Sequence, residues 1–171
     1  MKAIQTIYNG IKYRSRAEAR WAVVFHQIGW RHWYEVGGFH LPSGSYLPDF
    51  FLPDLKAFFE VKGQMPNWHE KKLADELAVA TEQIVIVSHG PPDHRRSEWA
   101  NDLSVFYPEM SVDDEIYADW HEGGFVSGRQ ENHPKCSIDL GNLAYLRGCN
   151  DVSWQTAFVR AANQRFGVFD H

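Results

Sequence analysis

Three things are scarce in this sequence, and each scarcity excludes a class of protein. No apolar run approaches the ~20 residues that a membrane-crossing helix needs, so no membrane partner is expected. Two cysteines, Cys136 and Cys149, are too few for the disulfide framework of a small secreted domain. Positive charge is short as well: the formal net charge is -5 at pH 7. A protein that coats DNA passively relies on a broad positive field, so that role is excluded. An enzyme that cuts DNA with a metal ion is not, because its site needs carboxylates and the bound cation offsets them. The opening stretch MKAIQTIYNG lacks the long apolar core of a secretory signal, and a cytoplasmic location is the expectation.

What is present describes a folded chain. With 171 residues, 44% hydrophobic and 15% aromatic, it can build one domain with a real core, with room for a small appendage. There is no internal repeat and no low-complexity tract. Residues 4–14 alternate loosely around Asn9-Gly10, a strong two-residue hairpin signal. Ser15 then opens a helix over 15–28 that Gly29 ends, with Trp21, Ala22, Val24, Phe25 and Ile28 at helical spacing. Strand-like runs follow at 32–36, 46–52 and 57–62. Asn67 is placed to cap a helix over 68–80 with Leu73, Leu77 and Ala80 on one face. The run QIVIVS at 83–88 has no polar alternation and reads as a strand buried on both faces. A further strand is expected at 103–107 and a final helix at 154–166. The order helix, three-stranded meander, helix, strand is that of an α/β layer fold with a mixed sheet.

The chemistry concentrates on the second and third strands. If residues 53–56 form the loop between them, Leu52 faces Ala57 and Asp49 sits opposite Glu60. Opposed side chains lie about 4.5–5.5 Å apart at Cβ on one face, where two carboxylates repel unless something binds between them. A hard divalent cation with oxygen ligands, such as Mg2+, fits that role. Lys62, two residues beyond Glu60, shares its face, while Phe59 and Val61 point into the core. An ammonium there can orient a water or offset charge gathering on a phosphate. Glu18 lies on the apolar stripe of the first helix, three and seven residues before Trp21 and Phe25. It is either a metal-site carboxylate or the returning member of a capping box with Ser15.

These residues resemble the PD-(D/E)XK nuclease superfamily. Pro48-Asp49 stands for the PD and Glu60-Val61-Lys62 for the (D/E)XK, in a core of the same element order. The stretch from Tyr8 to Gly63 is closer to phage-encoded members, and similar in spacing to phage junction-resolving and transposon-end nucleases, whose helical glutamate corresponds to Glu18. The resemblance implies a restriction-endonuclease-like core at 1–107, and a Mg2+-dependent DNA endonuclease in which Mn2+ substitutes. It also implies Asp49, Glu60 and Glu18 as metal ligands and Lys62 assisting the attacking water, with products carrying a 5′-phosphate. A phage-encoded protein would act in the host cell cytoplasm.

DNA contacts are expected from the basic clusters Lys12, Arg14, Arg16 and Arg20, and Lys71 and Lys72, with Gln64 beside the site. Arg95 and Arg96, next to His94, make a further basic cluster. Glu35 is open between lining the site and a solvent-facing strand position, and Tyr34 is left open beside it. Trp30 and Trp33 are assigned to core packing or a dimer contact rather than base stacking. Residues 108–171 read as a C-terminal appendage ending in the final helix. Similar phage proteins carry a four-cysteine zinc ribbon there; this chain offers a mixed Zn2+ set of His121, His133, Cys136 and Cys149, or a decayed ribbon with ordinary cysteines. Two rivals stay open: a DNA-binding or assembly protein that keeps the fold without activity, and a zinc-binding interaction module. Resolution of a four-way junction would require a homodimer.

Overall fold

The computed structural model describes residues 3–92, 103–108, 116–121, 124–127, 152 and 154–166. Asn9 and Gly10 both take positive φ, 48° and 77°, the sign that a two-residue type I′ turn requires. The turn closes a hairpin of β1 (Thr6–Tyr8) and β2 (Ile11–Tyr13). Helix α1 (Arg16–Ile28) follows, and the Ser15 hydroxyl accepts from the Glu18 N–H at 3.2 Å. Gly29, at φ 82°, stops the helix in the left-handed conformation glycine adopts most easily. Trp21, Ala22, Val24, Phe25 and Ile28 are all buried, as their spacing predicts.

The chain continues through β3 (Trp33–Tyr34), a separate two-stranded hairpin of β4 (Phe39–Leu41) and β5 (Gly44–Tyr46), then β6 (Phe50–Leu52) and β7 (Ala57–Lys62). Helix α2 (Trp68–Thr81) carries the chain over to β8 (Ile84–His89), which pairs parallel with β7. Strands β9 (Leu103–Phe106), β10 (Ile116–His121) and β11 (Gly124–Ser127) extend the sheet antiparallel, and α3 (Trp154–Asn163) ends the described chain's regular structure. The main sheet runs β11-β10-β9-β8-β7-β6-β3 and is mixed. Residues on both sides of position 107 contribute to it.

Period-two alternation divides the core into two layers. Phe50, Phe59, Ile86 and Val105 face α1 and α3, where they meet Trp21, Phe25, Ala157, Phe158 and Ala161. Phe58, Val85, Val87 and Phe106 face α2 and the β4–β5 hairpin, where they meet Leu73, Leu77, Leu41 and Tyr46. β8 is buried on both faces, as its unbroken apolar run requires. The Ser43 N–H and hydroxyl donate to the two Glu76 carboxylate oxygens at 2.8 and 2.6 Å, tying the β4–β5 turn to α2.

Three local expectations are corrected. The strand expected at 46–52 is two strands, because Pro48 has no N–H to give to a ladder. The strand expected at 32–36 shrinks to two residues, because Glu35 turns left-handed at φ 47°. On α2 the buried stripe is Leu73, Ala74, Leu77 and Ala78, and Ala80 is exposed. Among the described residues no helix is long and apolar enough to cross a membrane.

Candidate active site

The site begins with a turn. Leu55 and Lys56 donate to the carbonyls of Leu52 and Pro53 at 3.1 and 3.4 Å, and Lys56 sits at φ 51°. This four-residue loop sets the register: Leu52 opposite Ala57, Phe51 opposite Phe58, Phe50 opposite Phe59. One step further the ladder gives way to side chains. The Asp49 N–H donates to Glu60 Oε2 at 3.2 Å, and the Val61 N–H donates to Asp49 Oδ2 at 2.7 Å. Asp49 and Glu60 therefore face each other where the strands stop pairing, as the inferred register required.

Three carboxylates are buried at this end of the sheet: Asp49 is 3% exposed, Glu60 6% and Glu18 6%. Burial and the nearby charges of Glu60 and Glu18 push the Asp49 carboxyl up from 3.8 to about 8. Burial raises Glu60 too, although Lys62 opposes the rise. The Lys62 ammonium lies 2.9 Å from Glu60 Oε1 and 3.4 Å from Glu70 Oε1. Burial alone would lower its pKa, but the two glutamates outweigh burial and raise it. Lys62 is thus a held cation beside Glu60.

Glu18 is engaged away from the helix cap. Ser15 caps α1, but the Glu18 carboxylate does not return to Ser15. Its Oε2 accepts from the Tyr34 hydroxyl at 2.6 Å and from the Arg14 N–H at 3.1 Å, on the side of Asp49. The Arg14 side chain enters the same cluster: Nη2 lies 2.6 Å from Asp49 Oδ1 and Nε 2.6 Å from Glu35 Oε1. Burial works against the Arg14 charge, yet Tyr34, Asp49 and Glu35 together raise its pKa. The cluster sets Glu18, Glu35, Asp49, Glu60 and Glu70 against Arg14 and Lys62, a surplus of negative charge.

Tyr46, at the end of β5, is 7% exposed, and its hydroxyl interacts with the Glu60 carboxylate. Burial raises its pKa well above the ordinary phenol value, followed by the charges of Glu60 and Asp49. The buried phenol keeps its proton beside these acids and adds a polar atom to the same cluster. On donor chemistry the all-oxygen set of Asp49, Glu60, Glu18 and Tyr46 fits a hard divalent ion. Among the described residues, however, no three His, Cys, Asp or Glu side chains gather closely enough to hold one. The acid oxygens are taken by Arg14, Lys62, Tyr34 and main-chain N–H groups instead.

The remaining predicted residues fall in several places. Lys12 on β2, Arg16 at the start of α1 and Gln64 after β7 are exposed, and Arg20 is half-buried. Lys71 and Lys72 lie on α2, where the Lys72 ammonium sits 5.2 Å from the Trp68 ring centre. Trp30 is in the core, whereas Trp33 is 54% exposed and tilted on Phe51. His121 closes β10, and His94, Arg95, Arg96, His133, Cys136 and Cys149 lie outside the described residues.

Sequence reasoning missed Tyr46 and Glu70, and left Tyr34 and Glu35 open. Glu70 was visible as the third residue after Asn67, and it does accept from the Asn67 N–H at 2.9 Å in a capping box. Its second oxygen serves Lys62. Tyr34 and Glu35 enter because β3 pairs with β6, Tyr34 opposite Phe50, and the Glu35 N–H donates to the Asp49 carbonyl at 2.9 Å. Compared with family models, curated proteins and solved structures, the chain matches none.

Proposed function

We propose that this chain is a Mg2+-dependent endonuclease that hydrolyses phosphodiester bonds in DNA, on a restriction-endonuclease-like core with Asp49, Glu60 and Lys62 as its PD-(D/E)XK residues. The observation that carries this reading is the pairing of two buried carboxylates, Asp49 and Glu60, across a hairpin, with the Lys62 ammonium 2.9 Å from Glu60.

A bound Mg2+, or Mn2+ in its place, would lower the pKa of water and offset charge on the phosphate. Asp49 and Glu60 would hold the ion, with Glu18 as the third acid. Lys62, fixed by Glu60 and Glu70, would orient the attacking water for in-line displacement and leave a 5′-phosphate. The Tyr46 hydroxyl, beside Glu60, would donate to an oxygen of the same site. Lys12, exposed on β2, would meet a phosphate of the strand that approaches.

A second reading is favoured by a specific observation. Arg14 and the main-chain N–H of Val61 take both oxygens of Asp49, as they would in a DNA-binding protein that keeps the fold and has given up the metal. The two readings part in a cleavage panel of linear duplex, single strand, flap and four-way junction, with Mg2+ and with EDTA. Cutting of at least one substrate in Mg2+ and of none in EDTA supports the nuclease. Binding without cutting in Mg2+ or Mn2+ supports the inactive protein.

A further inference from the structure

Arg14 occupies an unusual position. It stands between the end of β2 and the Ser15 cap of α1, so its main chain is fixed: its N–H is shared between Glu18 Oε2 at 3.1 Å and the Tyr34 hydroxyl at 3.0 Å. Its side chain is held differently. The guanidinium is fixed by two charge contacts, 2.6 Å to Asp49 and 2.6 Å to Glu35, on a side chain that is 50% exposed. Asp49 is almost wholly buried while its partner cation is not. A guanidinium bridging two carboxylates from the solvent side stands where an external cation would have to arrive.

We infer that Arg14 is the acid cluster's own counter-ion, which a divalent cation displaces from Asp49, and that the freed guanidinium then takes a DNA phosphate. The inference rests on the metal-dependent reading above and deepens it by naming the residue that couples metal binding to DNA binding. A divalent ion and the Arg14 guanidinium compete for Asp49 Oδ1, because each positive charge at that oxygen raises the cost of the other. Once released, a guanidinium anchored at a rigid backbone, on a half-exposed side chain, is a ready fork for phosphate oxygens. Linkage then requires that metal raise DNA affinity and that DNA raise metal affinity by the same factor.

The test is calorimetric titration of Mn2+ into the full chain without DNA, for wild type, Arg14→Gln, Arg14→Lys and Arg16→Gln. Arg16 is exposed at the start of α1 and removes the same formal charge as Arg14. Arg14→Gln is expected to bind Mn2+ about tenfold more tightly than wild type, the size of one lost charge-assisted contact. Arg14→Lys, which cannot fork between Asp49 and Glu35, should fall between, and Arg16→Gln should match wild type. In a second arm, a labelled duplex is titrated in Ca2+ and in EDTA, and the gain in DNA affinity from Ca2+ should be smaller in Arg14→Gln than in wild type. Equal Mn2+ affinity in wild type and Arg14→Gln overturns the inference and leaves the nuclease reading standing. Equal tightening in Arg14→Gln and Arg16→Gln also overturns it, since bulk charge then suffices. Absence of Mn2+ binding in every variant overturns the metal-dependent reading itself, and this inference with it.

Discussion

Asp49 and Glu60 face each other at the open end of the β6–β7 hairpin, and each accepts a main-chain N–H from the opposite strand or its continuation: Glu60 from Asp49, Asp49 from Val61. Side-chain oxygens replace the ladder there. The strands part, and two carboxyl groups are left buried in the gap, held by local donors, where ionising both is costly. Such an arrangement costs stability, and a bound cation would offset that cost.

That cost should be visible as a pH dependence. The Asp49 carboxyl is raised from 3.8 to about 8, so in this window the folded protein holds a proton that the unfolded chain releases. Its stabilising contribution is complete below the unfolded value and is lost as pH rises through the folded one. In EDTA the Tm should fall between about pH 4 and pH 8. Asp49→Asn should flatten that slope and stabilise the metal-free protein at neutral pH by roughly 1–3 kcal/mol. A Tm that climbs over the same range in EDTA would contradict the raised carboxyl. With Mg2+ present the slope should shrink, because binding the ion releases the proton.

Lys62 is expected to separate chemistry from metal binding. Lys62→Ala should lower the cleavage rate by about 100-fold or more and leave the circular dichroism spectrum unchanged. Because Lys62 opposes the rise in the Glu60 carboxyl, its loss should move the onset of Mn2+ binding to higher pH. Unchanged cleavage in this variant would remove Lys62 from the mechanism.

The helix, hairpin and meander were legible because each carries a local signal: Ser15 and Gly29 bound α1, Asn67 caps α2, and the loop 53–56 fixes which residues oppose. That register is why Asp49 and Glu60 could be paired on paper. Arg14, Tyr34, Glu35 and Tyr46 were not placed in the cluster, because their positions depend on long-range facts. β3 must pair with β6, the β4–β5 hairpin must be pinned to α2 by Glu76, and the chain between β2 and α1 must turn Arg14 toward Asp49. No periodicity in the sequence encodes those three contacts.

Ser15 and Glu18 stand three residues apart but do different jobs, and substitution should distinguish them. Ser15→Ala removes the acceptor of the Glu18 N–H and should cost about 1 kcal/mol of stability, with cleavage unchanged. Glu18→Gln keeps an acceptor for Tyr34 and Arg14 but removes a charge facing Asp49. It should weaken Mn2+ binding and leave thermal stability in EDTA equal or higher. The reverse pattern would return Glu18 to a capping role.

Tyr46 gives a sharper contrast between stability and function. Its hydroxyl is buried beside the Glu60 carboxylate, so Tyr46→Phe in EDTA should cost no more than about 1 kcal/mol. If that hydroxyl serves the cation or its water, the same variant should bind Mn2+ less tightly and cut several-fold more slowly. Loss of stability with unchanged cleavage would show a purely structural tyrosine.

The central claim is that the opposed acids hold a divalent ion that cuts DNA, and supercoiled plasmid tests it most directly. Wild type and Asp49→Ala are incubated with plasmid in Mg2+ and, in parallel, in EDTA. Nicked or linear product with 5′-phosphate ends is expected from wild type in Mg2+ alone, and none from Asp49→Ala. Cleavage by Asp49→Ala at the wild-type rate, or by wild type equally well in EDTA, would contradict it.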